Sequence, residues 1–153
     1  RDYDAAGLKD SIPLLGSGFL TDGNLAAIGE AGEGVMTTLH YAETLDTPQN
    51  RAFVEAYQEA YGQMPDTYAV QGYDTGMMLV QAMEAVGGDT SDRERLIQAL
   101  ANVQLDSPRG PMSFSASHHP IQNVYLREIR NGKHEVVGIA HENLEVPDEA
   151  CRM

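Results

Sequence analysis

The sequence predicts an α/β fold. Three observations carry that expectation. Two short apolar runs of strand character, Ile12–Leu15 and Gly34–Leu39, are each followed by polar or glycine-rich turns. Three segments with helical periodicity and readable caps come next, starting at Pro48, Tyr73 and Ser91, and after Pro111 the apolar period shortens to two. Strands first alternating with helices and then closing on a hairpin place the chain among the layered α/β folds.

Each element has its own justification. Arg1–Leu8 reads as the last turns of a helix, with Gly7 as its left-handed stop. Ile12-Pro13-Leu14-Leu15 reads as a buried strand of the parallel type that delivers Gly16-Ser17-Gly18 at its carboxyl end, where α/β sheets meet their ligands. Thr21-Asp22-Gly23-Asn24 caps a short helix over Leu25–Ile28, which Gly29 stops. In the next strand, Val35, Thr37 and Leu39 share one face. The helix from Pro48 to Tyr61 has Thr47 as N-cap and proline in its first turn, with Phe53, Tyr57 and Tyr61 on one stripe and Gly62 as its stop. A second helix is expected from Tyr73 to Val86, with Met77, Val80, Met83 and Ala85 inward and Gly87-Gly88 at its end; the Met77-Met78 and Met83 cluster reads as core filler. Ser91 and Glu94 form a capping box that opens a third helix bearing Leu96, Ile97 and Leu100. Met112–Ser115 is a short strand, and Val124, Leu126 and Ile129 lead through the Asn131-Gly132 turn into a return strand, Lys133–Ile139. The acidic stretch from Glu142 to Met153 is expected to lie loosely on the surface.

Composition narrows the function. The chain of 153 residues carries 10 basic and 23 acidic residues, a net charge of -13 spread along its length. Such a field repels phosphate backbones and anionic lipid, which argues against nucleic acid as a partner. No run of about 18 apolar residues exists to span a bilayer. Cys151 is the one cysteine, so neither an internal disulfide nor a thiolate metal cluster can form. His118-His119 is the one adjacent histidine pair, and neighbours on an extended segment point opposite ways; without HExxH or Cys-His spacing, no metal and no cofactor is expected. Gly16-Ser17-Gly18-Phe19-Leu20-Thr21 stops one glycine short of the dinucleotide fingerprint. No G-x-S-x-G context supports a hydrolase triad, and the expectation is a protein that is not an enzyme.

Pro65-Asp66-Thr67-Tyr68-Ala69-Val70-Gln71-Gly72-Tyr73-Asp74, behind the Pro48–Tyr61 helix, combines with Ile12–Gly18 upstream and Ser107-Pro108-Arg109-Gly110-Pro111 downstream. In that order the motifs resemble the C-terminal half of the type I periplasmic solute-binding proteins of ABC importers, the branched-chain amino acid family. The resemblance runs from about Ala6 to Gly138. It implies a two-lobed fold with Rossmann-like parallel sheets, of which this chain is an incomplete C-terminal fragment: 1–40 the end of the second lobe, 41–121 a returning part of the first, 122–141 a hairpin of the second and 142–153 an acidic tail. By the same resemblance Ser17, Gly18 and Phe19 present the ligand loop, and Tyr68 and Gln71 line the opposite wall.

The resemblance further implies a periplasmic protein whose partners are a small organic solute, a membrane permease and the missing N-terminal half; left alone, such a fragment is expected to dimerise or swap. A ligand-sensing regulatory domain of the same fold is the alternative. One departure bears on the ligand. Branched-chain amino acid binders carry a carboxylate in the loop occupied here by Ser17, Gly18 and Phe19. A buried ammonium without a counter-charge is costly, so a carboxylic acid, aromatic in the reading that uses Phe19 and Tyr68 as ring partners, is expected unless Asp22 reaches in.

Overall fold

The structure, a computed structural model, describes residues 1–147; Cys151 and the end of the expected acidic tail lie outside them. Its elements are α1 (Asp2–Ala5), β1 (Leu15–Ser17), α2 (Leu25–Ile28), β2 (Met36–Leu39), α3 (Pro48–Tyr61), α4 (Thr67–Ala85), α5 (Arg93–Ala101), β3 (Leu105–Ser107), β4 (Gly110–Phe114), β5 (Pro120–Arg130) and β6 (Lys133–Leu144). No helix among the described residues is long and apolar enough to cross a membrane.

The strands follow the order β1-β2-β5-β4-β3, with β6 also on β5. β1 lies parallel to β2, with Leu15 opposite Met36, and β2 lies antiparallel to β5, with Met36 opposite Glu128. β5 is the shared strand. Its first residues pair with β4, through Ser113 with Ile121 and Phe114 with Pro120, whereas the rest pairs with β2 and β6. Asn131 and Gly132 join β5 to β6 with φ of 52° and 69°, the positive pair that a tight two-residue hairpin demands.

Two cores result. Tyr41, Ala42, Leu45, Phe53, Val70 and Tyr125 form one, where the segment after β2 meets α3, α4 and β5. Ala82, Val103, Leu105 and Met112 form the other, between α4 and the β3–β4 hairpin. Helix α3 has the expected ends: the Thr47 hydroxyl accepts from the Asn50 N–H, Pro48 opens the first turn and Gly62 closes in the left-handed region.

Several expectations are corrected. The first strand is Leu15–Ser17, not Ile12–Leu15, and Leu15 is 66% exposed because β1 ends the sheet with a neighbour on one side only. Helix α4 begins at Thr67, six residues before Tyr73, because the Asp66 carboxylate caps the Ala69 N–H at 2.9 Å. Its buried residues are Thr67, Val70, Asp74 and Ala82, while Met77, Val80 and Met83 lie on a face open to solvent. Asp92 caps α5, and the Ser91 hydroxyl turns back to Asp89 at 2.6 Å, so the Ser91–Glu94 box does not form. The inward face of β5 carries Tyr125, Arg127 and Ile129 instead of Val124 and Leu126, a buried arginine interrupting the apolar alternation. β6 continues to Leu144, so the acidic stretch begins as strand.

Candidate functional site

Two chain segments face each other at the end of the parallel pair. The first is the loop leaving β1: Ser17 is exposed, Gly18 is buried, and Gly18–Leu20 make a single tight turn that leaves Phe19 55% exposed. The second is the first turn of α4, where Tyr68 is 57% exposed. Neither ring belongs to a core. Their centroids are 6.3 Å apart with planes tilted by 36°, within the range of favourable aromatic pairs. Atoms stack at roughly 3.5 Å, so a third ring between them would need about 7 Å. Phe19 and Tyr68 therefore form a continuous aromatic wall.

Gly18 is required by sterics, not by φ. A Cβ there would stand 2.6 Å from Leu39 Cβ and 2.7 Å from Arg127 Nη2. Behind it the loop turns inward: the Thr21 hydroxyl lies 2.9 Å from His134 Nε2, and Asp22 Oδ2 accepts from Arg127 Nη2 at 2.6 Å. Arg127 also donates to Thr37 Oγ1 and to the Tyr41 carbonyl at 2.8 Å. His134 in turn meets Glu43, through Nδ1 at 3.1 Å and through its backbone N–H at 2.9 Å. Loop, segment after β2, and hairpin are thus tied by one buried polar network. Asp22, the carboxylate nearest the loop in sequence, is spent inside it.

Gln71 sits one turn along α4 from Tyr68, half-buried, and its amide donates to His40 Nε2 at 3.1 Å. Thr67 Oγ1 lies 3.3 Å from the same nitrogen. Burial first, and then the charges of Arg109 and Arg127, push His40 down to about 4, so at neutral pH it is uncharged and its Nε2 accepts from Gln71. Gln71 is therefore held toward the protein, while Phe19 and Tyr68 are the groups offered outward. Deeper along the same helix, Arg109 Nε donates to Asp74 Oδ2 at 2.6 Å and Tyr125 OH to the Arg109 carbonyl at 2.7 Å.

A larger hollow of about 740 Å³ lies between α3 and α4, lined by Phe53, Tyr57, Tyr61 and Tyr73. It shares no residue with the Ser17–Phe19 loop, and its walls are the apolar stripes of two helices, so it is a helix seam and not part of this site.

A loop delivered from the carboxyl end of a parallel strand to an exposed aromatic pair is the kind of place where α/β folds meet small molecules. The chain belongs to the periplasmic binding protein family, whose pattern it matches over residues 1–134, and its fold is the type I fold of that family. Among curated relatives, the Leu/Ile/Val-binding protein homolog 6 of Brucella abortus is 41% identical over 134 residues, 84% of this chain and 34% of its own length. A more distant one, named limonene hydroxylase in Geobacillus stearothermophilus, is 30% identical over 100 residues, 64% of this chain and 17% of its own length. Among solved structures, the solute-binding protein of an ABC transporter from R. palustris, in complex with benzoate, superposes with a TM-score of 0.90 at 47% identity over 99% of this chain and 42% of its own. The chain thus spans about a third of the length of the Brucella relative.

Proposed function

We propose that the chain contributes one part of a hinged, extracytoplasmic solute-binding protein of an ABC importer, which captures a small aromatic or otherwise apolar carboxylic acid by lobe closure and hands it to a membrane permease. The observation that carries this reading is the exposed Phe19–Tyr68 pair beside a loop whose neighbouring carboxylate, Asp22, is already bound by Arg127. An aromatic wall favours a flat apolar solute. The missing counter-charge disfavours an ammonium. Similarity to a benzoate-bound solute-binding protein supports the same choice over the branched-chain amino acids named in the Brucella relative.

In this reading residues 1–40 and 122–141 belong to one lobe and 41–121 to the other. The pairing of β5 supports that division, since β2 and β6 take most of its length and β4 only its first residues. Ser17 and the Gly18 backbone meet the solute from one lobe and Tyr68 from the other, with Gln71 orienting the Tyr68 turn through His40. Closure is driven by the solute's greater affinity for the closed form, and no covalent step is required. Location in the periplasm follows from the same assignment.

Isothermal titration of the full-length two-lobed protein against benzoate, 4-hydroxybenzoate and leucine tests the proposal. Benzoate-type acids are expected to bind at least about a hundredfold tighter than leucine, a gap matching the cost of leaving one charge unpaired. Tight leucine binding without aromatic-acid binding overturns it.

A further inference from the structure

Arg127 is wholly enclosed, at 0% exposure, on the inward face of β5. A buried guanidinium loses several kcal/mol of hydration, and an ion pair at such a depth often stabilises no better than well-packed apolar residues. The placement of this one is specific. Its Nη2 stands 2.7 Å from where a Gly18 Cβ would be, directly behind the ligand loop, and the same nitrogen holds Asp22 Oδ2 at 2.6 Å. Nη1 and Nε anchor the group to the Tyr41 carbonyl and Thr37 Oγ1, so the guanidinium cannot follow Asp22 if the acid turns outward. Asp22 itself is buried, with His134 Nε2 3.8 Å from the same oxygen. A Cβ placed on the next residue, Gly23, would stand 4.0 Å from Tyr68 Cε2, so this stretch of loop borders the aromatic wall.

We propose that Arg127 is a specificity-determining positioning residue: by holding Asp22 inside the protein it withholds from the cleft the carboxylate next to the ligand loop, and so selects acids over amino acids. The inference rests on the reading of the ligand given above and deepens it. Arg127 touches no solute. It acts through Asp22, and through the Gly18 backbone that packs against its guanidinium.

The test is the ratio of leucine to benzoate dissociation constants, measured by titration of the full-length two-lobed protein, with leucine read by competition where it binds weakly. In Arg127→Gln the amide nitrogen takes the place of Nε beside Thr37 Oγ1 but reaches neither the Tyr41 carbonyl nor Asp22, so Asp22 is released, and the ratio is expected to move toward leucine by at least about tenfold, one unit of charge–charge preference. Asp22→Asn leaves the arginine uncompensated behind the loop and is expected to move the ratio severalfold the other way. Arg127→Lys keeps the pair and leaves the ratio near wild type, and the double variant Asp22→Asn/Arg127→Gln cancels the two shifts. Parallel losses for both solutes at an unmoved ratio overturn the inference and leave the aromatic-acid reading intact. If Arg127→Gln does not fold, Asp22→Asn decides alone: an unmoved ratio overturns the proposal. Wild-type preference for leucine overturns both readings together.

Discussion

Glu43 grips His134 at two points: Oε1 accepts the backbone N–H at 2.9 Å, and Oε2 lies 3.1 Å from the ring Nδ1. The contact fastens the segment after β2 to the first residues of β6. Burial by itself would raise the Glu43 pKa, but the hydrogen bonds from the His134 ring and N–H outweigh it and hold the carboxyl below its ordinary value. Because the folded value is depressed, the stability it contributes is present above the unfolded carboxyl pKa of about 4.3 and is lost as pH falls through the folded one. Glu43→Gln is expected to lose about 1–3 kcal/mol at pH 7 and to show a flatter acid limb, as read by chemical denaturation at pH 7 and at pH 3.5.

His40 gives a second pH dependence of a different origin. Its pKa is lowered to about 4, by burial first and by Arg109 and Arg127 after it. The unfolded imidazole takes up its proton near pH 6.5 while the folded one resists, so stability is full above that value and falls as pH drops from about 6.5 toward 4. A loss on the order of 2 kcal/mol is expected over that window. His40→Gln, which retains an acceptor for the Gln71 amide, is expected to remove most of the slope in melting curves taken from pH 7.5 to 4.5.

Gly18 tolerates nothing larger. An alanine methyl would meet Leu39 Cβ at 2.6 Å and Arg127 Nη2 at 2.7 Å, and both neighbours are fixed by their own packing. Gly18→Ala is therefore expected to cost about 2 kcal/mol or more in thermal or denaturant unfolding, and to weaken solute binding in the same variant by displacing the loop.

Phe19 and Tyr68 present the opposite case. Both rings are more than half exposed, so Phe19→Ala and Tyr68→Ala are expected to change stability by less than about 0.5 kcal/mol. Benzoate affinity, measured by titration of the full-length two-lobed protein, is expected to fall by roughly 10- to 100-fold in each. Unchanged affinity in both variants would remove the aromatic wall from the site.

Much of the architecture was readable because some residues decide structure locally. Thr47, Pro48 and Gly62 delimit α3, and Asn131-Gly132 makes the hairpin, each by the backbone chemistry of a single turn. Other features were hidden because they depend on residues distant in sequence. The outward orientation of Met77, Val80 and Met83 depends on what packs against α4, which helical periodicity does not specify. The start of α4 was lost because Pro65-Asp66 reads equally as a turn and as a cap. Within the candidate site, the resemblance implies that Phe19 and Tyr68 face the ligand but not that the two rings meet each other, and nothing in the sequence marks Arg127 or His134. An arginine inside a strand departs from apolar alternation only once its acceptors, Asp22, Thr37 and the Tyr41 carbonyl, have been brought to it from more than 85 residues away.

The double membership of β5 sets an order on assembly. β2 and the β3–β4 hairpin are made early, but no hydrogen bond joins them directly, and each waits for a different stretch of the same late strand. During synthesis the two halves of this sheet cannot join until Pro120–Arg130 has left the ribosome. A ribosome stalled before that strand would hold a chain with two open sheet edges, and one stalled just after it a chain that joins β2 to the β3–β4 hairpin but still lacks β6, the partner of most of β5.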